Sequence, residues 1–260
     1  MRWMHSELER AKATEFFHEH GFVGFDSPFS AREIAELQNA AKQAEYADET
    51  LAITHDAIFA VPLFRDYARD ERLARTAALL IRAPVELHNS RLNAKPMSGG
   101  TGGVVDWHQD YPFYPHTNFD CLAGVIHLDD EDEDSGPLRV LPGSHRQGPL
   151  SHSLNGEFVG RITENIEPDN AVTLTCKSGS VIFHHSLLVH YSGPKIRSGY
   201  RRHLIFGYRA QDAIQLGGTV WKSTGVEVMP RERVNCARFP DGTTVELRND
   251  LRLDQLPRLG

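Results

Sequence analysis

From about Pro84 onward the chain is built from short apolar or alternating runs separated by Gly, Pro, Asn and Asp. Residues 85–92, 104–113, 121–128, 138–141, 171–176, 181–183 and 201–208 each have the length and patterning of a strand. Pro142-Gly143 and Ser178-Gly179 mark turns between them. Many short strands with frequent turn signals predict an antiparallel double-sheet barrel of the jelly-roll kind. The first 80 residues read differently. Ser6 with Glu9 and Ser30 with Glu33 fit the capping box that opens helices. Gly21 stands where a helix-ending glycine would, and 22–25 reads as a short strand. Ile34, Leu37, Ala41 and Ala44 share one helical face, and a third helix is expected over 71–80. The predicted fold is therefore mainly β with flanking helices, a double-stranded β-helix (jelly-roll, cupin-like) barrel. One domain is expected over 1–260: a helical flank at 1–80, a core at 84–210 and a C-terminal extension at 211–260. In that extension Gly217-Gly218, a strand-like 226–229 and a hairpin with Asp241-Gly242 at its tip suggest a lid or an edge extension.

Composition narrows the function classes. Lys and Arg total 28 against 35 Asp and Glu, so the formal net charge is −7. That balance lacks the basic footprint of a nucleic-acid binder or of a protein drawn to an anionic membrane. No apolar run reaches the roughly 18 residues of a membrane span. The N-terminus has no apolar secretory core, and the C-terminus is not a peroxisomal address. Cys121, Cys176 and Cys236 are odd in number and far apart, which speaks against a disulfide framework or zinc cluster. Three reduced thiols in a cytoplasmic protein are expected. The acidic run 129–134 reads as a solvated loop, because six adjacent carboxylates cannot converge on one cation without a turn glycine.

The chain carries 14 histidines, and spacing separates a few from the rest. In Trp107-His108-Gln109-Asp110, His108 and Asp110 are i and i+2. On a strand they would project to the same side. An imidazole and a carboxylate so placed need one more histidine to form the facial triad that suits non-heme Fe(II). A plain His–Asp hydrogen bond is the alternative. His190 ends the run 181–190 and is followed by Tyr191-Ser192-Gly193-Pro194, with Arg201 eleven residues beyond it. A guanidinium near a metal-binding histidine can hold the remote carboxylate of a dicarboxylate co-substrate through its planar fork. His203 shares strand parity with Arg201 and so can face the barrel interior. His184 and His185 are read as structural, or as neighbours of the ligands rather than ligands, and His145 as a brace of its turn. Asn89 and Arg91 share a face that could line a substrate site.

In order along the chain come Phe16-Phe17-His18-Glu19-His20-Gly21-Phe22-Val23, Lys95-Pro96, Trp107-His108-Gln109-Asp110 and Leu128-Asp129-Asp130. Then follow Ser135-Gly136-Pro137-Leu138-Arg139-Val140-Leu141-Pro142-Gly143-Ser144-His145, and His190-Tyr191-Ser192-Gly193-Pro194 with Arg201. This set resembles the phytanoyl-CoA dioxygenase family of Fe(II)- and 2-oxoglutarate-dependent oxygenases. The resemblance implies that His108, Asp110 and His190 bind iron. It implies that Arg201 holds the C5 carboxylate of 2-oxoglutarate with help from Ser192, and that Lys95 assists. It also implies that O2 is consumed and that succinate and CO2 are released as a C–H bond of a small metabolite is hydroxylated. The intact Asp110 points away from halogenation. Two positions depart from the family: Lys195 where Asn is frequent, and Gly124-Val125-Ile126-His127 where a tryptophan is frequent. The alternatives are a jelly-roll metalloenzyme without 2-oxoglutarate, such as an isomerase or hydrolase, or a non-catalytic barrel that binds a small ligand.

Overall fold

The computed structural model describes residues 4, 6–43, 52–95, 103–216, 226–230 and 236–247. The helical flank comprises α1 (Glu7–His20), β1 (Phe22–Phe25), α2 (Ala31–Gln43), β2 (Ala52–His55), α3 (Ala57–Ala60), α4 (Pro62–Ala68) and α5 (Glu71–Ile81). There follow β3 (Val85–Lys95), β4 (Val105–His108), β5 (Cys121–His127), β6 (Leu138–Val140), β7 (Ser153–Leu154) and β8 (Glu157–Phe158). Then come β9 (Val172–Leu174), β10 (Val181–His185), β11 (His190–Ser192), β12 (Arg201–Ala210), β13 (Cys236–Arg238) and β14 (Thr244–Glu246). Among the described residues no helix is long and apolar enough to cross a membrane.

Two antiparallel sheets make the core. One has the order β1-β10-β5-β12-β3-β2 and the other β4-β11-β6-β9. Side chains alternate across the larger sheet, and the two faces have opposite chemistry. Leu92, Leu204 and Ile126 lie in one row of paired positions and are fully buried in the main hydrophobic cluster. Phe206, Tyr208, Phe183, and Leu73 and Leu80 of α5 belong to the same cluster. Each such side chain contributes about 1.5–3 kcal/mol of burial. The other face carries Arg91, Asn93 and Lys95 on β3, Arg201, His203 and Ile205 on β12, and Val125 and His127 on β5. Helices therefore cover the apolar face, and the polar face looks toward the smaller sheet.

Both capping boxes form. Ser6 accepts from the Glu9 amide while Glu9 accepts from the Ser6 amide, and Ser30 and Glu33 repeat the exchange. Gly21 ends α1 in the left-handed region at φ 81°. A β-carbon there would lie 2.5 Å from His145 Nδ1 and 2.9 Å from Leu188 Cδ1. His145 itself contacts the His18 carbonyl at 3.2 Å, so it braces the helix end against its own turn.

Several local expectations change. Residues 104–113 are not one strand: β4 stops at His108 and a 3-10 turn runs over Tyr111–Phe113. The short helices α3 and α4, the strand β2 and the small β7–β8 hairpin were not anticipated. The acidic run is not uniformly solvated. Asp129 pairs with Arg202, Asp130 with Lys177 and Asp132 with Arg197, while the Glu131 side chain is fully buried. In the C-terminal part, β13 and β14 form a hairpin whose Arg238 pairs with Asp120 and Asp212. Gly242 stands in its connecting loop at φ 85°. Gly217-Gly218 lies outside the described residues.

Gly21→Ala should lower stability by about 2 kcal/mol or more, through left-handed strain and the two close approaches. Urea unfolding midpoints measure this, and an unchanged midpoint would contradict the described brace.

Candidate active site

β11 lies between β4 and β6, and its register sets His190 directly opposite His108. The ring centroids are 4.0 Å apart. Asp110 arrives by another route than strand alternation. The chain leaves β4 after His108, and Asp110 adopts φ −69°, ψ −35° at the head of the 3-10 turn. Its Oδ1 then stands 3.8 Å from His108 Nε2. Gln109 holds this corner. Its side-chain amide donates to Gly148 O and Leu187 O, and its carbonyl accepts from Leu150 N.

One donor atom from each of His108, Asp110 and His190 lies within 4.8 Å of the others. All three residues are buried, at 8%, 2% and 5% exposure. Each ring is oriented by its own backbone. His108 Nδ1 is 2.8 Å from Asp106 O, and His190 Nδ1 is 2.8 Å from Leu188 O. A carbonyl only accepts, so Nδ1 carries the proton and Nε2 keeps its lone pair. Burial pushes the imidazoles of His108 and His190 down to about 3 and about 4. Burial opposes ionisation of Asp110, yet the nearby Arg91 guanidinium and the imidazoles hold its carboxyl well below the usual range. Arg91 Nη2 is 3.5 Å from Asp110 Oδ1. Two neutral imidazoles and one ionised carboxylate, oriented by outer hydrogen bonds, form a donor set that fits non-heme Fe(II).

These side chains open onto one cavity of about 200 Å³ between the two sheets. At its other end Arg201 stands opposite Lys95 on the paired strands β12 and β3. Arg201 Nη2 is 3.4 Å from Ser192 Oγ, and Ser192 donates to Gly136 O. Lys95 donates to Gly193 O. Gly136 is required here, because a β-carbon would sit 2.6 Å from Gly193 O and 2.9 Å from Lys95 Nζ. All six residues singled out in the sequence (His108, Asp110, His190, Arg201, Ser192 and Lys95) therefore line the same cavity.

His203 lines it as well, as its parity with Arg201 suggests, and so do Arg91 and Asn93. Asn89, which shares Arg91's face, is not among the lining residues. His184 is buried with its ring 4.8 Å from that of His190. Val125 occupies part of the wall at the segment where the family often has tryptophan. Lys195 donates to Arg197 O. The residue that sequence reasoning missed is Glu131, which pairs with Arg201, His203 and His127. Nothing in a run of six acids distinguishes the third; only the pairing of β5 with β12 does.

The family model for phytanoyl-CoA dioxygenase (PhyH) matches residues 17–203. A Stutzerimonas stutzeri protein named probable alpha-ketoglutarate-dependent hypophosphite dioxygenase is 33% identical over 225 residues, 76% of this chain and 78% of its own length. An ectoine dioxygenase from Sphingopyxis alaskensis is 29% identical over 241 residues, 80% of this chain and 78% of its own. The solved structure of EctD from S. alaskensis with 2-oxoglutarate and 5-hydroxyectoine has 28% identity and a TM-score of 0.61, covering 77% of this chain and 76% of that one. The epimerase SnoN with Fe3+, alpha ketoglutarate and nogalamycin RO shares the fold at a TM-score of 0.69 and 20% identity, covering 87% and 95%.

The buried imidazoles set an acid limit. Those of His88, His116, His185 and His203 are also pushed down, burial being the first cause. Unfolded histidine titrates near 6.5. The folded values lie lower, so the unfolded chain binds more protons and stability falls as pH drops below about 6.5. Urea unfolding of the metal-free protein should report uptake of roughly 3 or more protons near pH 5, a slope of about 4 kcal/mol per pH unit. A flat profile would mean these rings are not buried and neutral.

Proposed function

The chain belongs to the phytanoyl-CoA dioxygenase family and is an Fe(II)- and 2-oxoglutarate-dependent dioxygenase, and from that premise we propose the roles of its residues. His108, Asp110 and His190 hold the iron through two Nε2 atoms and a carboxylate oxygen. Arg201 binds the C5 carboxylate of 2-oxoglutarate, Ser192 gives a second hydrogen bond, and Lys95 assists at that end. The observation that carries this reading is one cavity with the three-donor set at one end and Arg201 at the other. Bound iron, 2-oxoglutarate and O2 supply the oxidation: the co-substrate becomes succinate and CO2, and one oxygen atom enters the substrate.

The protein's own part is positioning. The carbonyls of Asp106 and Leu188 fix both rings in one tautomer. Arg91 keeps Asp110 ionised and available as a ligand. Arg201 fixes the direction in which the co-substrate lies, which sets where the substrate bond must be held. Val125, Ile205 and Leu138 line the space with apolar side chains. The substrate we propose is a small polar metabolite. A cavity near 200 Å³ that also takes the co-substrate is below the roughly 300–1,000 Å³ typical of larger ligands. Arg91, beside Asp110, supplies a polar contact at the triad end, and Asn93, paired with His203, supplies one nearer Arg201. A cytoplasmic setting belongs to the same proposal, supported by three cysteines that are all free thiols.

Arg201→Ala should weaken 2-oxoglutarate binding roughly tenfold to a hundredfold, the worth of a charge-assisted pair, with little effect on metal affinity. Unchanged co-substrate affinity would contradict the anchor. Asp110→Ala should abolish succinate release and weaken iron binding, and full turnover in that variant would refute the triad.

A further inference from the structure

Glu131 lies behind the cavity wall, and its side chain is completely buried. One oxygen, Oε1, accepts from His127 Nδ1 at 2.7 Å and from His203 Nε2. The other, Oε2, stands 3.4 Å from Arg201 Nε, an ion pair without the alignment of a hydrogen bond. His127, Glu131 and His203 could be read as cation ligands, since their donor atoms lie within 4.8 Å of one another. Two facts argue otherwise. Both rings contact the same carboxylate oxygen as hydrogen-bond donors, and a guanidinium occupies the space beside it. A metal ion there would face Arg201.

The charges around the group can be counted. Arg201 and Glu131 cancel. His127 and His203 each give one N–H to Glu131, which neutral rings can do. Burial and the neighbouring Arg201 push the Lys95 ammonium down to about 7. Cys176 is tied to Glu131 by two backbone hydrogen bonds, and burial pushes its thiol up to about 12. Asp129 is taken by Arg202, and Asp130 by Lys177 at the surface. The end of the cavity beside Arg201 thus has little net positive charge at neutral pH.

We infer that Glu131 is the resident counter-ion of Arg201, clamped by His127 and His203, and that a dicarboxylate binding at Arg201 draws a proton from solvent onto His203. The inference rests on the anchoring role proposed for Arg201. A carboxylate brought against Arg201 adds a second anion close to Glu131 in a desolvated space, where like charges repel strongly. His203 relieves this: its Nε2 already donates to Glu131, and its ring lines the cavity. Protonation at Nδ1 turns it into a cation between two carboxylates. Glu131 is a positioning and charge-setting residue, and it touches neither metal nor substrate. The sign follows: binding that takes up a proton weakens as pH rises.

The test is calorimetric titration of Fe(II)-loaded protein with 2-oxoglutarate under argon, in HEPES and in Tris, between pH 7 and 8.5. The wild type should take up about one proton per 2-oxoglutarate, and its Kd should rise roughly tenfold per pH unit where uptake is complete. Glu131→Gln should lose most of that uptake, vary less than about threefold in Kd, and bind more tightly than wild type at the highest pH. His203→Gln keeps an N–H for Glu131 but lacks the second ring nitrogen, so its uptake should fall below half of wild type. It serves the same purpose if Glu131→Gln does not fold. No uptake in wild type, or unchanged uptake in these variants, as when Lys95 carries the proton, overturns the inference. If Arg201→Ala binds 2-oxoglutarate at full strength, the anchor itself fails, and the inference fails with it.

Discussion

A one-residue slip of β11 against β4 would turn His190 and Ser192 toward the outside of the smaller sheet, because side-chain direction alternates along a strand. The observed register prevents this: His190 pairs with His108 on one side and with Val140 of β6 on the other. The same register places Ser192 against Leu138, two residues from Gly136, and so within reach of Arg201. Both ends of the cavity thus depend on a three-residue strand that is paired on both edges.

A polar interior of this kind is costly unless its groups are satisfied. The chain meets that cost by dividing the larger sheet into two faces. Leucine, isoleucine, phenylalanine and tyrosine side chains pack under the helices on one face. Arginine, lysine, asparagine and histidine side chains occupy the other, largely held by backbone carbonyls and by buried carboxylates. The apolar layer stabilises the scaffold, and the polar layer stays buried, oriented and available for chemistry. Glu131 belongs to this second layer as the balancing charge for Arg201.

Much of this plan was legible in the sequence. The capping boxes at Ser6 and Ser30, the end of α1 at Gly21 and the parity of Arg201 with His203 follow from local rules, and the structure contains all of them. His108 and Asp110 also come together, though not for the reason that spacing suggests. Strand alternation does not operate past His108; a 3-10 turn brings Asp110 back. Glu131 was hidden because charge patterning cannot tell a buried acid from five neighbours that are exposed or, like Asp129, taken by an arginine. Its partners His203 and Arg201 are some 70 residues further along the chain and meet it only through sheet pairing. Helices α3 and α4 escaped notice because each is too short to establish a periodicity.

The central claim is that three donors at one end of the cavity and a guanidinium at the other jointly hold Fe(II) and 2-oxoglutarate. Anaerobic titration of the metal-free protein with both, followed by visible absorption, tests it most directly. The account predicts a metal-to-ligand charge-transfer band that saturates at one equivalent of iron and is lost in His190→Ala. Iron binding without that band, or a band that survives in His190→Ala, would contradict it.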